Sequence, residues 1–149
     1  MKPQWILVAN ASIAQLYSRD EPNAPLVLLA MLTHPESRLK ASELTSDRPG
    51  REATDNSQGS NRYEPRSDVR RKEHERFARH IARRLEAGLA AGEFDALWLF
   101  ASNPFLGELK AQLGVAVQKH VQVAMDTDLT ALGLGEIEQR MRDPRLRKR

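Results

Sequence analysis

The 149-residue sequence has no cysteine, few aromatic residues and no long hydrophobic run. Without cysteine the chain forms no disulfide or zinc–sulfur site and offers no thiolate nucleophile, a composition typical of a reducing compartment. The apolar run near the start covers only residues 5–9, too short for the apolar region of a signal peptide or for a membrane span. We therefore expect a cytoplasmic protein without a membrane partner.

The remaining composition is ordinary. Apolar residues make up 40% of the chain and charged residues 29%, as in most globular proteins. The length suits one hydrophobic core, so we assign residues 1–149 to a single domain.

The net charge of +3 conceals two basic segments. Residues 62–84 contain nine Lys/Arg and four Asp/Glu, and residues 140–149 contain six Lys/Arg and one Asp, so each segment carries +5 and the rest of the chain −7. An acidic body with two basic segments favours a polyanionic partner, such as RNA or the ribosome, or an acidic protein. The alternative is a solvated helix face and a frayed basic tail over residues 143–149.

Short apolar runs predict three strands in the first part of the chain, at residues 5–10, 13–18 and 26–33. Tight turns join them, so they form an antiparallel meander. Residues 35–44 fit either a short helix or extended chain, and we favour irregular chain with a helical turn. The polar stretch that follows, residues 45–71, has almost no aliphatic residues, and its part from 45 to 67 is predicted to be a mobile loop.

The second half alternates between helix and strand patterns. Ser67 or Asp68 can cap a long helix that continues to about residue 91. Its apolar stripe consists of residues at three- and four-residue spacing: His74, Phe77, Ala78, Ile81, Leu85 and Leu89. The arginines are expected on the other face, interleaved with Glu73, Glu75 and Glu86. After this helix we predict a strand at 95–101, a helix at 103–120, a strand at 121–125 and a helix at 135–142.

The predicted order is β-β-β-α-β-α-β-α. Right-handed crossovers place the last two strands parallel to the first, on one side of the meander. The sequence therefore predicts an α/β fold of ribonuclease-H-like layout. Helices would cover a five-stranded mixed sheet, and the long polar loop would follow the third strand.

Six local strings occur in an order that resembles the bacterial host attachment protein family. They are WILVANAS at the start, HPESR, SDRPGR, HERFARHIARRL, FDALWLFASNPFLGELK and DTDLT. The resemblance covers nearly the whole chain. The family is also described as bacterial relatives of the middle domain of archaeo-eukaryotic peptide release factors. That relationship implies the same ribonuclease-H-like topology and a function directed at the ribosome.

The release-factor resemblance also identifies one catalytic candidate. Release factors carry a Gly-Gly-Gln loop between the third strand and the long helix, and the nearest string here is Ser57-Gln58-Gly59-Ser60. The candidate is therefore Gln58. Because a serine replaces the glycine before the glutamine, the backbone freedom of two adjacent glycines is lost, and peptidyl-tRNA hydrolysis is disfavoured.

Two sets of residues are candidate binding sites. The RNA- or polyanion-binding candidates are Arg48, Arg51, Arg62, Arg66, Arg70 and Arg71. The second set is expected at the carboxyl ends of the first, fourth and fifth strands, where open α/β sheets bind ligands. Its members are Asn10, Ser12, Ser102, Asn103 and Asp128, with Asp126 beside them. The alternative for this edge is a set of turn and capping residues.

No metal or cofactor is predicted. The first strand is apolar at its centre, so the carboxylate cluster that two-metal nucleases need is missing. The histidines lack the spacing of a helical zinc motif, and no phosphate-binding glycine loop occurs. The sequence therefore favours a non-enzymatic module that binds RNA or the ribosome through an arginine-rich loop, the long helix and the basic tail. The alternatives are a protein-interaction factor that affects attachment indirectly and a release-factor-like peptidyl-tRNA hydrolase.

Overall fold

A computed structural model describes residues 2–34 and 66–147, with the backbone alone for Arg66, Ser67 and Arg147. The predictions for residues 35–65 lie outside the described residues. They include the polar loop and four site candidates: Arg48, Arg51, Gln58 and Arg62.

A mixed sheet of five strands forms the centre of the fold. The strands are β1 (Gln4–Ala9), β2 (Ile13–Arg19), β3 (Val27–Thr33), β4 (Ala96–Ala101) and β5 (Val121–Asp126). Their order across the sheet is β3-β2-β1-β4-β5. β2 is antiparallel to β1 and β3, whereas β4 is parallel to β1 and β5. The predicted α/β class and five-stranded mixed sheet are thus confirmed, while the ribonuclease-H-like name stays a prediction.

Helices cover both faces of this sheet. They are α1 (Arg66–Ala90), α2 (Phe105–Gln112), α3 (Val115–Gln118) and α4 (Leu134–Arg140), followed by a 3-10 turn at Pro144–Arg147. α1 starts at Arg66, so Ser67 and Asp68 lie in its first turn, and the prediction that one of them caps it is wrong. At its other end Gly92 adopts a φ of 74°, and this left-handed conformation ends the helix as predicted.

The single helix predicted for residues 103–120 is wrong, because α2 and α3 are separate. Leu113 is extended, with a ψ of 135°, and Gly114 precedes α3 in an extended conformation. The Gln118 amide donates to the carbonyl oxygens of Lys110 and Leu113 at 3.2 and 2.9 Å. The side chain thus satisfies acceptors that the break exposes, and both Leu113 and Val117 are buried.

The sheet separates two hydrophobic cores. Trp5 and Leu7 point toward α1 and α2, whereas Ile6 and Val8 point toward α4. This alternation is the ordinary pleat of a strand. Because β1 and β4 are covered on both faces, they read as continuous apolar runs. Among the described residues, no helix combines the length and the apolar character that crossing a membrane requires.

Candidate functional site

The predicted ligand-edge residues do meet at one end of the sheet. β1, β3, β4 and β5 run in the same direction, so their carboxyl ends form one edge. Asn10 and Ser12 lie in the turn after β1, Ser102 and Asn103 follow β4, and Asp128 follows β5. The predicted positions of these residues are therefore correct. The hydrogen bonds of each side chain show its structural role at this edge.

Asn10 links the first turn to the segment after β5. Its side-chain amide donates to Asp128 Oδ2 and to Thr130 Oγ1, both at 3.1 Å. Its oxygen accepts the backbone N–H groups of Ser12 and Ile13 at 2.8 and 3.0 Å. The side chain thus closes the turn after β1 and joins it to a segment more than a hundred residues away.

Asp128 is held in its charged form by this network. Burial alone would raise the pKa of the carboxyl group, but hydrogen bonds from Thr130 and Asn10 outweigh that effect. The pKa of Asp128 therefore lies below its ordinary value. Thr130 contributes both its hydroxyl, at 2.7 Å, and its backbone N–H, at 2.9 Å, to Asp128 Oδ1.

The residues after β4 also act as caps. Asp126 Oδ1 accepts the backbone N–H of Asn103 at 2.9 Å, and Asn103 Oδ1 accepts that of Gly107, in the first turn of α2, at 3.1 Å. The carbonyl oxygens of Ser12 and Ser102 accept backbone N–H groups of His34 and Leu106. Turn and capping roles are thus confirmed for Asn103 and Asp128, and ligand binding at this edge stays a prediction.

A buried ion-pair group at the same edge was missed by the sequence reasoning. Glu73 is only 4% exposed. Its Oε1 lies 2.8 Å from His34 Nε2, and its Oε2 accepts a hydrogen bond from Arg76 at 3.1 Å. The ring of His34 stacks on Phe77 with 5.3 Å between centroids. Glu73 therefore joins the end of β3 to α1.

The prediction that Glu73 lies on the solvent face with the arginines is wrong. Glu73 precedes Phe77 by four residues and Ile81 by eight, and this spacing places it on the apolar stripe. The spacing was the available signal. A charge is buried there because His34 and Arg76 supply partners for it. The predicted apolar stripe itself is confirmed at its centre, since Phe77, Ala78, Ile81 and Leu85 are buried.

His74 lies beside this group, at the half-buried edge of the stripe. Its ring meets Phe105 edge-on, with 5.9 Å between centroids. Burial lowers the pKa of His74, Arg70 and His34 lower it further, and Glu108 opposes them. The neutral imidazole is therefore favoured in the folded protein, which agrees with a structural histidine at the rim of the core.

We expect Arg70→Ala to raise the pKa of His74 and Glu108→Gln to lower it, because each change removes one of the nearby charges. An NMR titration of the imidazole signals measures both shifts. The pKa of His74 is lower in the folded protein than in the unfolded chain. The contribution of neutral His74 to the free energy of unfolding is therefore complete when the pH is above the unfolded pKa, near 6.5. It is lost as the pH falls from there through the folded pKa. Shifts of the same sign in the two variants would contradict this account.

The exposed face of α1 carries a row of cations. Lys72, Arg76, Arg79 and Arg83 are all exposed and follow one another at spacings of four, three and four residues. Such residues lie on one side of a helix, about 5–6 Å apart at Cβ. We call these four residues the α1 ridge. It is about 16 Å long, at 1.5 Å per residue.

Two of the predicted RNA-binding arginines lie near the start of the ridge. Arg70 and Arg71 are both exposed in the first turns of α1. The backbone of Arg66 begins the helix. The structure therefore places the described arginines at the carboxyl edge, next to the row that continues along the helix.

The charges around the ridge have definite partners. Arg76 reaches Glu73 while its side chain stays 60% exposed. Arg84 is not part of the ridge. Its guanidinium lies 5.0 Å from the centre of the Trp5 ring and 3.9 Å from Glu93. Glu86 accepts the backbone N–H of Gly114 at 3.0 Å. Two of the acidic groups on α1, Glu73 and Glu86, are therefore engaged in contacts within the fold.

The segment predicted as a basic tail is packed at its start. Leu146 is buried in the core on the α4 side, and Arg145 pairs with Asp143 at 2.7 Å. The alternative of a frayed tail from residue 143 is therefore wrong for residues 143–146. Lys148 and Arg149 lie outside the described residues. In the part of the chain that the structure describes, no group of three or more His, Asp or Glu side chains could hold a metal ion.

The fold and these surfaces define an α/β protein with an open mixed sheet and a basic helix on one face. The polar residues at the carboxyl edge of its sheet form hydrogen bonds with one another. The chain belongs to the family described as "Protein required for attachment to host cells", whose model matches residues 5–141. This match confirms the resemblance found in the sequence, and the relationship to release factors stays a prediction. None of the curated proteins compared matches the chain.

Proposed function

We propose that this member of the host attachment family is a non-enzymatic module that binds RNA, free or in the ribosome, through the α1 ridge. The observation that carries the proposal is the row of four exposed cations on a helix anchored to the core. Phosphate contacts from such a row supply affinity without reading sequence. Three of the four are arginines, whose planar guanidinium groups match phosphate oxygens in a forked geometry.

The anchoring of α1 supports this role. Phe77, Ile81 and Leu85 are fully buried beneath the helix, so the backbone that presents the ridge is held by the core. Side chains on a rigid element lose less entropy when they bind than side chains on a flexible one. Arg70 and Arg71 extend the basic surface toward the carboxyl edge, and the predicted contacts from Arg48, Arg51, Arg62 and Arg66 would add to it.

We propose a cytoplasmic location, because RNA is available there. The effect of the protein on attachment to host cells would then be indirect. An acidic protein partner is the competing occupant of the same surface. Both partners are polyanions, so charge alone does not separate them. Capture of a partner from cell extract that survives ribonuclease treatment would favour the protein.

We expect the triple variant Lys72→Gln, Arg79→Gln, Arg83→Gln to bind polyuridylate at least about tenfold more weakly at low salt. The logarithm of the binding constant falls with the logarithm of salt concentration by about 0.7 per phosphate contact for single strands. Losing three contacts should therefore reduce that slope by about 2. Filter binding across a salt series measures both quantities.

A matched control carries the same change in charge elsewhere. Lys2, Lys110 and Lys119 are exposed outside α1, and their replacement by glutamine should leave the slope nearly unchanged. If the wild-type protein binds no polyuridylate at low salt and does not pellet with ribosomes, the proposal is wrong. It is also wrong if the two triple variants weaken binding equally.

The hydrolase alternative depends on Gln58, which lies outside the described residues. It requires that the wild-type protein cleaves peptidyl-tRNA and that Gln58→Ala abolishes the cleavage. We expect no cleavage by the wild-type protein beyond that of buffer. Cleavage that Gln58→Ala removes would replace the binding module with an enzyme.

A further inference from the structure

The strand at one end of the sheet carries most of the exposed apolar surface. β3 ends the sheet and, among the described strands, pairs with β2 alone. Of the seven large apolar side chains that are exposed in the described residues, four lie in this strand: Val27, Leu28, Leu29 and Met31. We call these four residues the β3 patch. Clustered apolar side chains on a surface mark interaction sites, whereas single ones do not.

Neither hydrophobic core covers the β3 patch. No residue of β3 is among the buried members of either core, and only Ala30 and Leu32 pack against one of them, from the α1 side. β3 pairs regularly with β2 from Ala30 to Thr33, but Leu29 has no partner there. This bulge interrupts the alternation of inward and outward side chains. Three consecutive apolar residues, 27–29, are exposed as a result.

Apart from the bulge, the sequence of β3 has little that would protect an edge strand. Its seven residues, VLLAMLT, include no charged residue and no proline. Proteins generally place lysine or proline in such a strand, because its outer N–H and C=O groups can pair with another chain. The outer edge of β3 is therefore suited to pair with a further strand.

We propose that this further strand is β3 of a second copy of the chain, paired antiparallel across a two-fold axis. An interface of this kind uses the same patch on both copies, so the patch has to fit itself. β3 meets that condition. Because the strand is uncharged, no like charges face each other, and the apolar side chains of the two copies cover one another.

The exposed charges beyond the two ends of β3 differ in sign. Asp20 and Glu21 are exposed in the turn that leads from β2 to β3. At the other end of the strand, Arg70 and Arg71 are exposed in the first turns of α1, which contacts His34, the residue after β3. Antiparallel pairing brings the acidic end of each copy to the basic end of the other. The flanking charges therefore favour this orientation twice.

The two-fold axis that relates antiparallel strands of one sheet is perpendicular to the sheet. Each face of the sheet stays on its own side, so the sheets of the two copies join and both copies carry α1 on the same face. The dimer would thus present two α1 ridges on one side. Strand pairing and RNA binding use different residues, and either proposal can fail without the other.

The dimer is expected to be reversible. β3 contributes seven residues, fewer than the roughly 20–30 on each side of a standard interface. We therefore expect a dissociation constant of about 1–100 μM. Sedimentation velocity of the full chain without RNA, at concentrations on both sides of that range, measures it.

Two double variants locate the interface. Leu28→Lys with Met31→Lys places like charges on the strand, and we expect at least about tenfold weaker dimerisation. The folded monomer tolerates these lysines, because the two side chains are already 48% and 52% exposed. The matched control is Val115→Lys with Leu134→Lys. These residues are exposed outside β3, so the charge changes equally, and the dissociation constant should stay that of the wild-type protein.

Hydrogen exchange of the wild-type protein gives a measurement that needs no variant. The amides of residues 27–33 should exchange at least about tenfold more slowly in the dimer than in the dilute monomer. The amides of β5, at the other end of the sheet, should not change. This result decides if the variant with lysines in β3 does not fold.

Three results would overturn the proposal. One is a wild-type protein that stays monomeric over the whole concentration range, which would leave β3 to a different partner. Another is an equal dissociation constant for the two double variants. The third is slower exchange on dimerisation in β5 and not in β3, which would place the interface at the opposite edge.

Discussion

Glu73→Ala should lower the free energy of unfolding by about 3 kcal/mol, since it removes the buried carboxylate that joins β3 to α1. The variant leaves His34 and the core beneath it without the acceptor at 2.8 Å and opens space beside Phe77. Breaking a buried pair costs more than breaking an exposed one, because the remaining polar group has already lost its water. Urea denaturation followed by circular dichroism measures the loss.

Two companion variants separate the causes. Glu75→Ala changes a neighbouring acid that is partly exposed, and we expect a change within about 0.5 kcal/mol. Glu73→Gln keeps the size and a hydrogen-bond acceptor, so its loss should be smaller than that of Glu73→Ala. Equal stabilities for Glu73→Ala and Glu75→Ala would show that the buried pair does not contribute.

Gly88→Ala is expected to destabilise the fold by about 2–3 kcal/mol, although alanine is the better helix former. A Cβ at residue 88 would lie 2.2 Å from one carbon of the Trp5 ring and 2.6 Å from another. The ring has little room to shift, because it is 1% exposed and stacks on Phe94 at 4.4 Å. The helix would have to move away from β1.

The control for this prediction is another helical glycine. A Cβ at Gly107 would meet only Asn103 Oδ1, at 3.7 Å, which is ordinary contact. Gly107→Ala should therefore leave stability unchanged or raise it by up to about 1 kcal/mol. Thermal unfolding of both variants, at one pH, compares them directly. If Gly88→Ala unfolds at the same temperature as the wild-type protein, the expected clash with Trp5 does not reduce stability and the prediction is wrong.

The regular elements were predictable because their signals are local. The strand predicted at residues 95–101 is found at Ala96–Ala101, and the long helix predicted to end near residue 91 ends at Ala90. Continuous apolar runs and a helical apolar stripe depend only on neighbouring residues. The break between α2 and α3 was not predictable from periodicity, since the apolar stripe continues across it and Gln118 caps the first helix from the second.

The candidate sites were predictable only in part. The sequence placed Asn10, Asn103 and Asp128 at one edge, because strand order follows from right-handed crossovers. It did not show that Asn10 and Asp128 bond to each other. Glu73 was assigned to solvent because a charged residue in an arginine-rich helix is usually exposed.

By itself, the sequence determined the order of elements, the mixed sheet and a helix with one basic face, since hydrophobic periodicity and chain connectivity act locally. The tertiary structure alone decided which acid is buried and which polar groups form hydrogen bonds with one another. Glu73 is buried because His34, thirty-nine residues earlier, reaches it. Asn10 and Asp128 form a hydrogen bond although they are 118 residues apart in the sequence. Contacts between such distant residues depend on how the strands and helices pack, and no local pattern encodes them.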